Sequence, residues 1–237
     1  MAILLNIDTA TENASICLAE NGNPIHTLIN NQQRDHAAWI QPAIQQLLEI
    51  TVKKMKDIQA VAVTAGPGSY TGLRVGLATA KGLCYALNIP LITENTLKVM
   101  ANAAWQQCFP EGDGYSIKAG LKKNRTLICP MIDARRMEVF TALYDQQLNI
   151  VKDPAALILE EGSFNKELEN NSILFLGNGS AKWKPVCNHP HAFFADVIQT
   201  AEHLAPLAEQ LFMQEKFASL AYEEPVYLKE FYTYVKK

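Results

Sequence analysis

The segment whose residues could most readily do chemistry is the glycine-rich run GPGSYTG at positions 66–72. Glycines let a backbone take positive φ and approach another surface closely, and a helix that follows presents free N–H groups and the positive end of its dipole. These features suit an anion site. They suit equally a tight strand-to-helix turn in which Ser69 or Thr71 caps the helix, and we favour that interpretation slightly.

This run matches no standard phosphate or nucleophile motif. The pattern G-x-G-x-x-G would need a glycine where Thr71 stands, and the Walker pattern would need Gly-Lys-Ser/Thr after its second glycine. A nucleophile elbow around Ser69 would need a glycine where Pro67 stands. We therefore do not expect Ser69 to act as an acyl-transfer nucleophile.

Asp8 closes the first apolar segment, where open α/β folds often place a ligand carboxylate. A Mg²⁺ or phosphate role is one interpretation. Residues 9–13 contain no glycine, so they lack the close-approach loop that a nucleotide phosphate requires. We expect the carboxylate to accept hydrogen bonds from local backbone in an Asx-type turn.

Asp133 and the two arginines Arg135 and Arg136 lie around one predicted turn between strands. Two interpretations stay open. The turn is either exposed and held by a weak ion pair, which we favour slightly, or its arginine pair contacts a carboxylate or phosphate of a partner.

Histidines and cysteines offer little for a metal. Only His189 and His191 are close in sequence, and Pro190 between them favours a loop pair over a shared metal site. The five cysteines are widely spaced with no C-x-x-C pattern, which predicts reduced thiols and no zinc knuckle.

The period of apolar residues predicts the elements that position these groups. Asp35 is the expected N-cap of the first helix, Pro110–Asn124 is the expected connection between two lobes, and we find no internal sequence repeat. Strands are predicted at 3–8, 14–19, 25–29, 58–64, 91–93, 126–133, 137–144 and 172–176, and helices at 35–50, 73–87, 96–107 and 197–214.

Composition limits the classes of function. The 237 residues are 49% hydrophobic, which is enough for a large core, and the 21 basic and 24 acidic residues form no charged block. We therefore do not expect the chain to hold a nucleic acid alone. The short apolar start before Asp8 has no basic segment, which predicts a cytoplasmic protein without a signal peptide or membrane span.

Two helices carry the residues predicted to bind a partner protein. Small residues at four-residue steps on the second helix let another helix approach closely, and the first helix adds large apolar side chains. The predicted interface is His36, Trp39, Ile40, Ala43, Leu47, Arg74, Gly76, Leu77, Ala80 and Cys84.

Taken in order along the chain, these motifs resemble those of the TsaB (YeaZ) family. The matching segments are ILLNIDTAT, AVAVTAGPGSYTGLRVGLATAKGLCYALNIPLI, IDARRMEVFTALY and EPVYLK, with His36 ahead of the first helix. The residues that match the family's motifs are Asp8, Gly66, Gly68, Ser69, Thr71, Gly72, Asp133 and Arg135.

The resemblance implies an α/β protein with a two-lobed actin-like (ribonuclease H-like) fold, each lobe a mixed sheet with flanking helices. The N-terminal lobe, with the dimerisation helices, would cover residues 1–108. The C-terminal lobe would cover residues 109–237, with its last residues returning to the first lobe.

It also implies a non-catalytic subunit that binds and activates a TsaD-type threonylcarbamoyltransferase, with a TsaE-type ATPase, in formation of threonylcarbamoyladenosine in tRNA. We expect a homodimer when the chain is alone and a heterodimer with the paralogue, and contact with tRNA only through the complex. No cofactor is expected on this chain alone, and a nucleotide at the interface with the partner is left open. A charged residue at Leu47 or Leu77 is expected to abolish partner binding while the chain stays folded.

The catalytic paralogue binds its metal with two histidines four residues apart on a helix. The matching positions here hold Thr96 and Met100, which are poor ligands for iron or zinc, so no metal is expected. The alternative is a metallopeptidase or phosphotransferase of the actin-like fold that is active in its own right. A regulator of proteolysis or cell-wall growth that acts through protein contacts is a third interpretation.

Overall fold

The computed structural model describes residues 2–32, 35–109, 121 and 125–229, so the predicted connection Pro110–Asn124 lies outside them apart from Leu121. Short 3-10 turns occur at Met55–Asp57 and Ala201–His203. The strands and helices of these ranges are β1 (Ile3–Asp8), β2 (Ala14–Glu20), β3 (Asn23–Asn30), α1 (His36–Thr51), β4 (Ala60–Thr64), α2 (Tyr70–Leu87), β5 (Leu91–Glu94), α3 (Thr96–Cys108), β6 (Thr126–Asp133), β7 (Glu138–Tyr144), β8 (Ile150–Ile158), α4 (Asn165–Leu168), β9 (Ser172–Leu176), α5 (Ser180–Trp183), β10 (Ala192–Ala195) and α6 (Ala205–Met213).

The first sheet has the strand order β3-β2-β1-β4-β5. Strands β1, β4 and β5 run parallel, whereas β2 and β3 continue from β1 as antiparallel neighbours. All five residues of β4 are buried, as expected for a central strand that helices cover on both faces. The parallel strands end together, so Asp8 and Thr64 meet at one edge of the sheet.

The second sheet repeats this arrangement, with the order β8-β7-β6-β9-β10. Its first strand also ends in aspartate, at Asp133, as β1 ends in Asp8. Its fourth strand is followed by Gly-Asn-Gly-Ser at 177–180, and β4 is followed two residues later by Gly-Pro-Gly-Ser at 66–69. No repeat is visible along the sequence because only these short motifs survive. The shared topology supports a divergent duplication.

Helices cover both sheets. Helices α1 and α2 pack on one face of the first sheet, and α6 and α3 pack on the other. Helix α3 also packs on the second sheet, whose far face is covered by α4 and α5. Ten of the thirteen residues of α3 are consequently buried.

Two helices begin later or earlier than predicted, and several strand ends shift by one or two residues. Helix α2 begins at Tyr70 rather than 73, because Ser69 already serves as its N-cap. Asp35 is the N-cap residue of α1, as predicted, although its side chain makes no capping hydrogen bond. The helix predicted over 197–214 begins only at Ala205, since Pro206 occupies its first turn and the preceding residues are bound elsewhere.

Within the described ranges, no helix combines the length and the apolar character that crossing a lipid bilayer requires.

Candidate functional site

Asp8 lies at the centre of a buried polar cluster at the end of β1. Its carboxylate accepts hydrogen bonds from the Ala10 amide (3.0 Å), the Thr64 hydroxyl (2.8 Å) and the Gln199 side-chain amide. The bond from Ala10 confirms the Asx-type turn. Burial raises the pKa of Asp8 above its ordinary value, although these three hydrogen bonds oppose the shift. The protein's own donors thus surround this carboxylate.

The segment between β10 and α6 supplies Gln199 and is itself held by polar side chains of the first lobe. Burial lowers the pKa of His203, so its imidazole is neutral at pH 7. Gln199 was not predicted from sequence because its segment was assigned to a helix. The other bonds that hold the segment run from Gln107 Nε2 to the Ile198 carbonyl (2.7 Å), from the Ala201 amide to Ser15 Oγ (2.8 Å) and from Asn102 Nδ2 to the His203 carbonyl (2.8 Å).

The glycines near the start of α2 let the helix approach the loop that follows β1. A Cβ atom at Gly68 would overlap the Ala10 backbone, and one at Gly72 would overlap the Thr9 carbonyl. At Gly76 it would overlap the Thr9 hydroxyl. These three glycines therefore serve internal packing, because the lack of a side chain lets the backbone of α2 and its preceding turn approach the loop closely.

Capping accounts for Ser69. Its hydroxyl accepts a hydrogen bond from the Gly72 amide (3.3 Å), and its own amide donates to the Ala10 carbonyl (2.7 Å). The tight-turn interpretation is confirmed. Thr71 is exposed one residue inside the helix.

The C-terminal segment 217–229 runs from the first sheet across the glycine turn to the second sheet. In the first lobe, Ala218 forms a β-bridge with Leu91, and the Val226 amide donates a hydrogen bond to the Ala65 carbonyl (2.7 Å). Tyr227 contacts α2: its ring centroid lies 5.4 Å from that of Tyr70, and its hydroxyl accepts a hydrogen bond from Arg74 Nε (3.2 Å). In the second lobe, Lys229 forms an ion pair with Glu138 (2.6 Å).

Most of the predicted partner-interface residues face the core instead of the surface. Only Trp39, which is half-buried, and Arg74, which is exposed, reach solvent. The buried ones are His36, Ile40, Ala43, Leu47, Gly76, Leu77, Ala80 and Cys84.

This burial corrects one expectation directly. Leu47 is fully buried and Leu77 is 4% exposed, and both belong to the core between the first sheet and its helices. A charge at either position would be buried without a partner, which costs several kcal/mol in folded proteins. We therefore expect such a variant to unfold, contrary to the expectation from sequence that it stays folded.

The opposite face of α2 is open to solvent and carries small side chains. Ala78 and Gly82 lie one turn apart on it, with exposed Tyr85 beyond. A Cβ atom at Gly82 would meet nothing within 4 Å. Internal packing therefore gives no reason for this glycine, which costs about 1 kcal/mol relative to alanine inside a helix.

Thr96 and Met100 occupy the two positions at which a metal site would need histidines, and neither side chain suits a metal. Thr96 is fully buried and its hydroxyl has no hydrogen-bond partner among the described residues, whereas Met100 packs its methyl group against Gly177. A hydroxyl and a thioether are poor ligands for iron or zinc. No group of three His, Cys, Asp or Glu side chains able to hold a metal occurs in the part of the chain described.

Asp133 organises the hairpin between β6 and β7. It accepts hydrogen bonds from the Arg135 amide (2.6 Å) and Lys182 Nζ (2.5 Å), and its own amide donates to Asn178 Oδ1 (2.8 Å). Burial raises the pKa of Asp133, but the bonds from Lys182 and Arg135 outweigh it, so the pKa lies below its ordinary value. Asn178, from the second glycine turn, was not singled out from sequence.

His189 and His191 occupy a turn before β10, as predicted. Their rings stand 5.3 Å apart, and His191 Nδ1 lies 3.0 Å from the Leu168 carbonyl oxygen. The pair serves this turn.

Comparison with known proteins identifies the family. Residues 25–230 match the family described as TsaD, tRNA N6-adenosine threonylcarbamoyltransferase. The chain is 29% identical over 233 residues to the tRNA threonylcarbamoyladenosine biosynthesis protein TsaB of Escherichia coli K12, covering 95% of this chain and 94% of that protein.

Two solved structures from Pseudomonas aeruginosa are similar in fold. One is a protein with similarity to peptidase YEAZ, with TM-score 0.80 and 24% identity over 97% of this chain and 100% of that one. The other, YeaZ, has TM-score 0.75 and 23% identity over 96% of this chain and 100% of that one. The predicted two-lobed, actin-like (ribonuclease H-like) α/β fold is confirmed by these neighbours and by the two five-stranded mixed sheets. The chain belongs to the TsaD family and, within it, to the TsaB (YeaZ) group.

Proposed function

We propose that this chain is the non-catalytic partner subunit that binds and activates a TsaD-type threonylcarbamoyltransferase in the formation of threonylcarbamoyladenosine in tRNA. A TsaE-type ATPase acts with the two proteins. The chain forms a homodimer alone and exchanges it for the heterodimer when the paralogue is present.

One observation carries the binding role, namely Gly82 on the outer face of α2. A glycine inside a helix is costly, and here neither internal contacts nor positive φ require it. With Ala78 one turn before it, Gly82 leaves the helix backbone open to close approach from outside. A helix of the partner can pack there at short range.

The non-catalytic role is supported by the two positions where an enzyme of this fold would hold ligands. The Asp8 carboxylate is already bonded to Ala10, Thr64 and Gln199, and α2 packs directly on the loop that follows it. Thr96 and Met100 lack the chemistry of metal-binding imidazoles. These features argue against the alternative of a metallopeptidase or phosphotransferase.

Size-exclusion chromatography with light scattering tests the binding role. The chain, the TsaD-type paralogue of the same organism and their mixture are compared for wild type and for Gly82→Leu. The control is Gln210→Leu, which adds the same side chain at an exposed position of α6. We expect wild type and Gln210→Leu to form the mixed species.

Gly82→Leu should stay folded, judged by circular dichroism, and lose the mixed species, because its side chain would hold the partner's helix away. A wild-type chain that stays separate from the paralogue contradicts the proposal. Normal assembly by Gly82→Leu would move the interface away from this face of α2.

A further inference from the structure

The hairpin between β6 and β7 ends in two adjacent arginines with unusual backbone conformations. Arg135 has φ 70° and Arg136 has φ 51°, and both are exposed. The hairpin closes through bonds from the Ala134 amide to the Glu138 carbonyl (3.0 Å) and from the Glu138 amide to the Arg135 carbonyl (3.1 Å). We call Arg135 and Arg136 the arginine tip.

The sequence of the arginine tip does not suit its conformation. The left-handed region costs an L-residue about 1–2 kcal/mol, and turns that need it favour glycine or asparagine. Asp133 helps to hold the conformation through its bond to the Arg135 amide. That bond uses backbone, so it explains the turn but not the choice of two arginine side chains.

The charge of Arg135 contributes to the lowered pKa of Asp133, but this weak interaction does not account for two arginine side chains. Among the residues that the structure describes, neither guanidinium forms a hydrogen bond or a short ion pair. The nearest carboxylates already have lysine partners, since Asp133 pairs with Lys182 at 2.5 Å and Glu138 pairs with Lys229 at 2.6 Å. The tip therefore presents positive charge on a chain whose net charge is −3.

The C-terminal segment links α2 to the hairpin that carries the arginine tip. Tyr227 contacts Arg74 in the second turn of that helix, and Lys229 contacts Glu138 in the hairpin. Two residues of chain span at most about 7 Å, so the backbones of Tyr227 and Lys229 lie close together. The same segment thus contacts both the helix proposed to bind the partner and the hairpin of the tip.

We propose that Arg135 and Arg136 bind phosphate groups of the tRNA backbone in the assembled complex. Guanidinium groups bind phosphate bidentately, and phosphate contacts make up most of the affinity of proteins for nucleic acids. A protruding hairpin tip suits an extended backbone, whereas small nucleotides bind in concave sites. This inference rests on the proposed function, because the chain is not expected to hold tRNA alone.

The test measures binding of tRNA to the complex of this chain with its TsaD-type paralogue, by fluorescence anisotropy over a series of salt concentrations. The variants are the double substitution Arg135→Gln with Arg136→Gln, and the double substitution of both arginines by lysine. The control replaces two exposed lysines outside the tip, Lys56→Gln with Lys166→Gln, which changes the net charge equally.

We expect the glutamine variant to bind tRNA about tenfold or more weakly, with a salt slope smaller by roughly one unit for each phosphate that the tip no longer neutralises. The lysine variant should keep the slope and lose part of the affinity, and the lysine control should match wild type. Unchanged affinity and slope in the glutamine variant would overturn the inference.

Size-exclusion chromatography of the same samples separates this result from the proposed function. If the wild-type chain forms no complex with the paralogue, the proposed function is wrong and the inference falls with it. If only the glutamine variant fails to assemble, the tip binds protein, and the inference alone is wrong.

Discussion

The Thr9 hydroxyl donates a hydrogen bond of 2.7 Å to the carbonyl oxygen of Gly72, which ties the loop after β1 to the first turn of α2. The bond holds α2 directly against that loop. It also explains the glycine-rich motif, because any side chain at Gly72 would occupy the position of the Thr9 backbone. The glycine-rich motif thus allows α2 to pack closely on the loop after β1.

Two glycines of α2 should respond oppositely to alanine. Gly76→Ala places a methyl group against the Thr9 hydroxyl and should lower the free energy of unfolding by about 1–3 kcal/mol. Gly82→Ala meets open space and should raise it by about 0.5–1 kcal/mol through helix propensity. Urea unfolding followed by circular dichroism measures both. Equal effects at the two positions would refute the assignment of inner and outer faces.

Charges on the two faces of α1 and α2 should separate folding from binding. Leu47→Asp buries a carboxylate in the core and should abolish the cooperative unfolding transition. Ala78→Glu adds its charge on the exposed face and should leave the transition within about 0.5 kcal/mol of wild type while partner binding is abolished. A folded Leu47→Asp chain would contradict the packing described.

Asp8 and Asp133 should give opposite dependences of stability on pH. The folded pKa of Asp8 is raised above its ordinary value of 3.8, so the folded state holds more protons there, and the contribution of Asp8 falls as pH rises above about 4. The folded pKa of Asp133 is lowered, so its contribution is present above pH ~4 and lost as pH falls through its folded pKa.

Asparagine substitution makes this difference measurable. Asp8→Asn should gain stability relative to wild type between pH 4 and pH 7, since Gln199 can turn its unbonded Oε1 toward the new amide. Asp133→Asn should lose stability relative to wild type over the same interval, modestly because the site is exposed. Urea unfolding at both pH values provides the free energies. Trends of the same sign would contradict the environments described.

Thiol reactivity should report the burial of the cysteines. Burial raises the pKa of Cys17 and Cys84 to about 11 and that of Cys129 to about 12, and Cys108 is also buried. Cys187 is partly exposed. Ellman's reagent at pH 8 should therefore modify one thiol of the native chain quickly and the other four only in denaturant. Fast reaction of several thiols would show that the lobes open readily.

Most strands and helices of this fold were predicted from the sequence, but the residues exposed on its surfaces were predicted less well. Apolar periodicity located β1, β4 and α3 because their packing is regular. It missed β8, an edge strand that is mostly exposed and contains Pro154, and β10, which has only four residues. Such strands have too little buried surface to produce a pattern.

Site residues were harder to predict because their roles depend on contacts between distant segments. Gln199 donates a hydrogen bond to Asp8, which lies 191 positions away in the sequence, and no local sequence pattern indicates that bond. The interface prediction selected the inward face of α2 because apolar periodicity marks whichever face is buried. The sequence held one hint of the outer face of α2. Gly82 lies inside the predicted helix but outside the row of small residues, and a glycine in a helix lowers stability unless something requires it.

The most direct test of the proposed role is an omission assay for threonylcarbamoyladenosine. The TsaD-type paralogue, the TsaE-type ATPase, tRNA and threonylcarbamoyl-adenylate are incubated with this chain, without it, or with Gly82→Leu, and the modified nucleoside is measured by mass spectrometry. We predict modification with the wild-type chain and little or none without it or with the variant. Equal modification when the chain is omitted would contradict its role as the activating subunit.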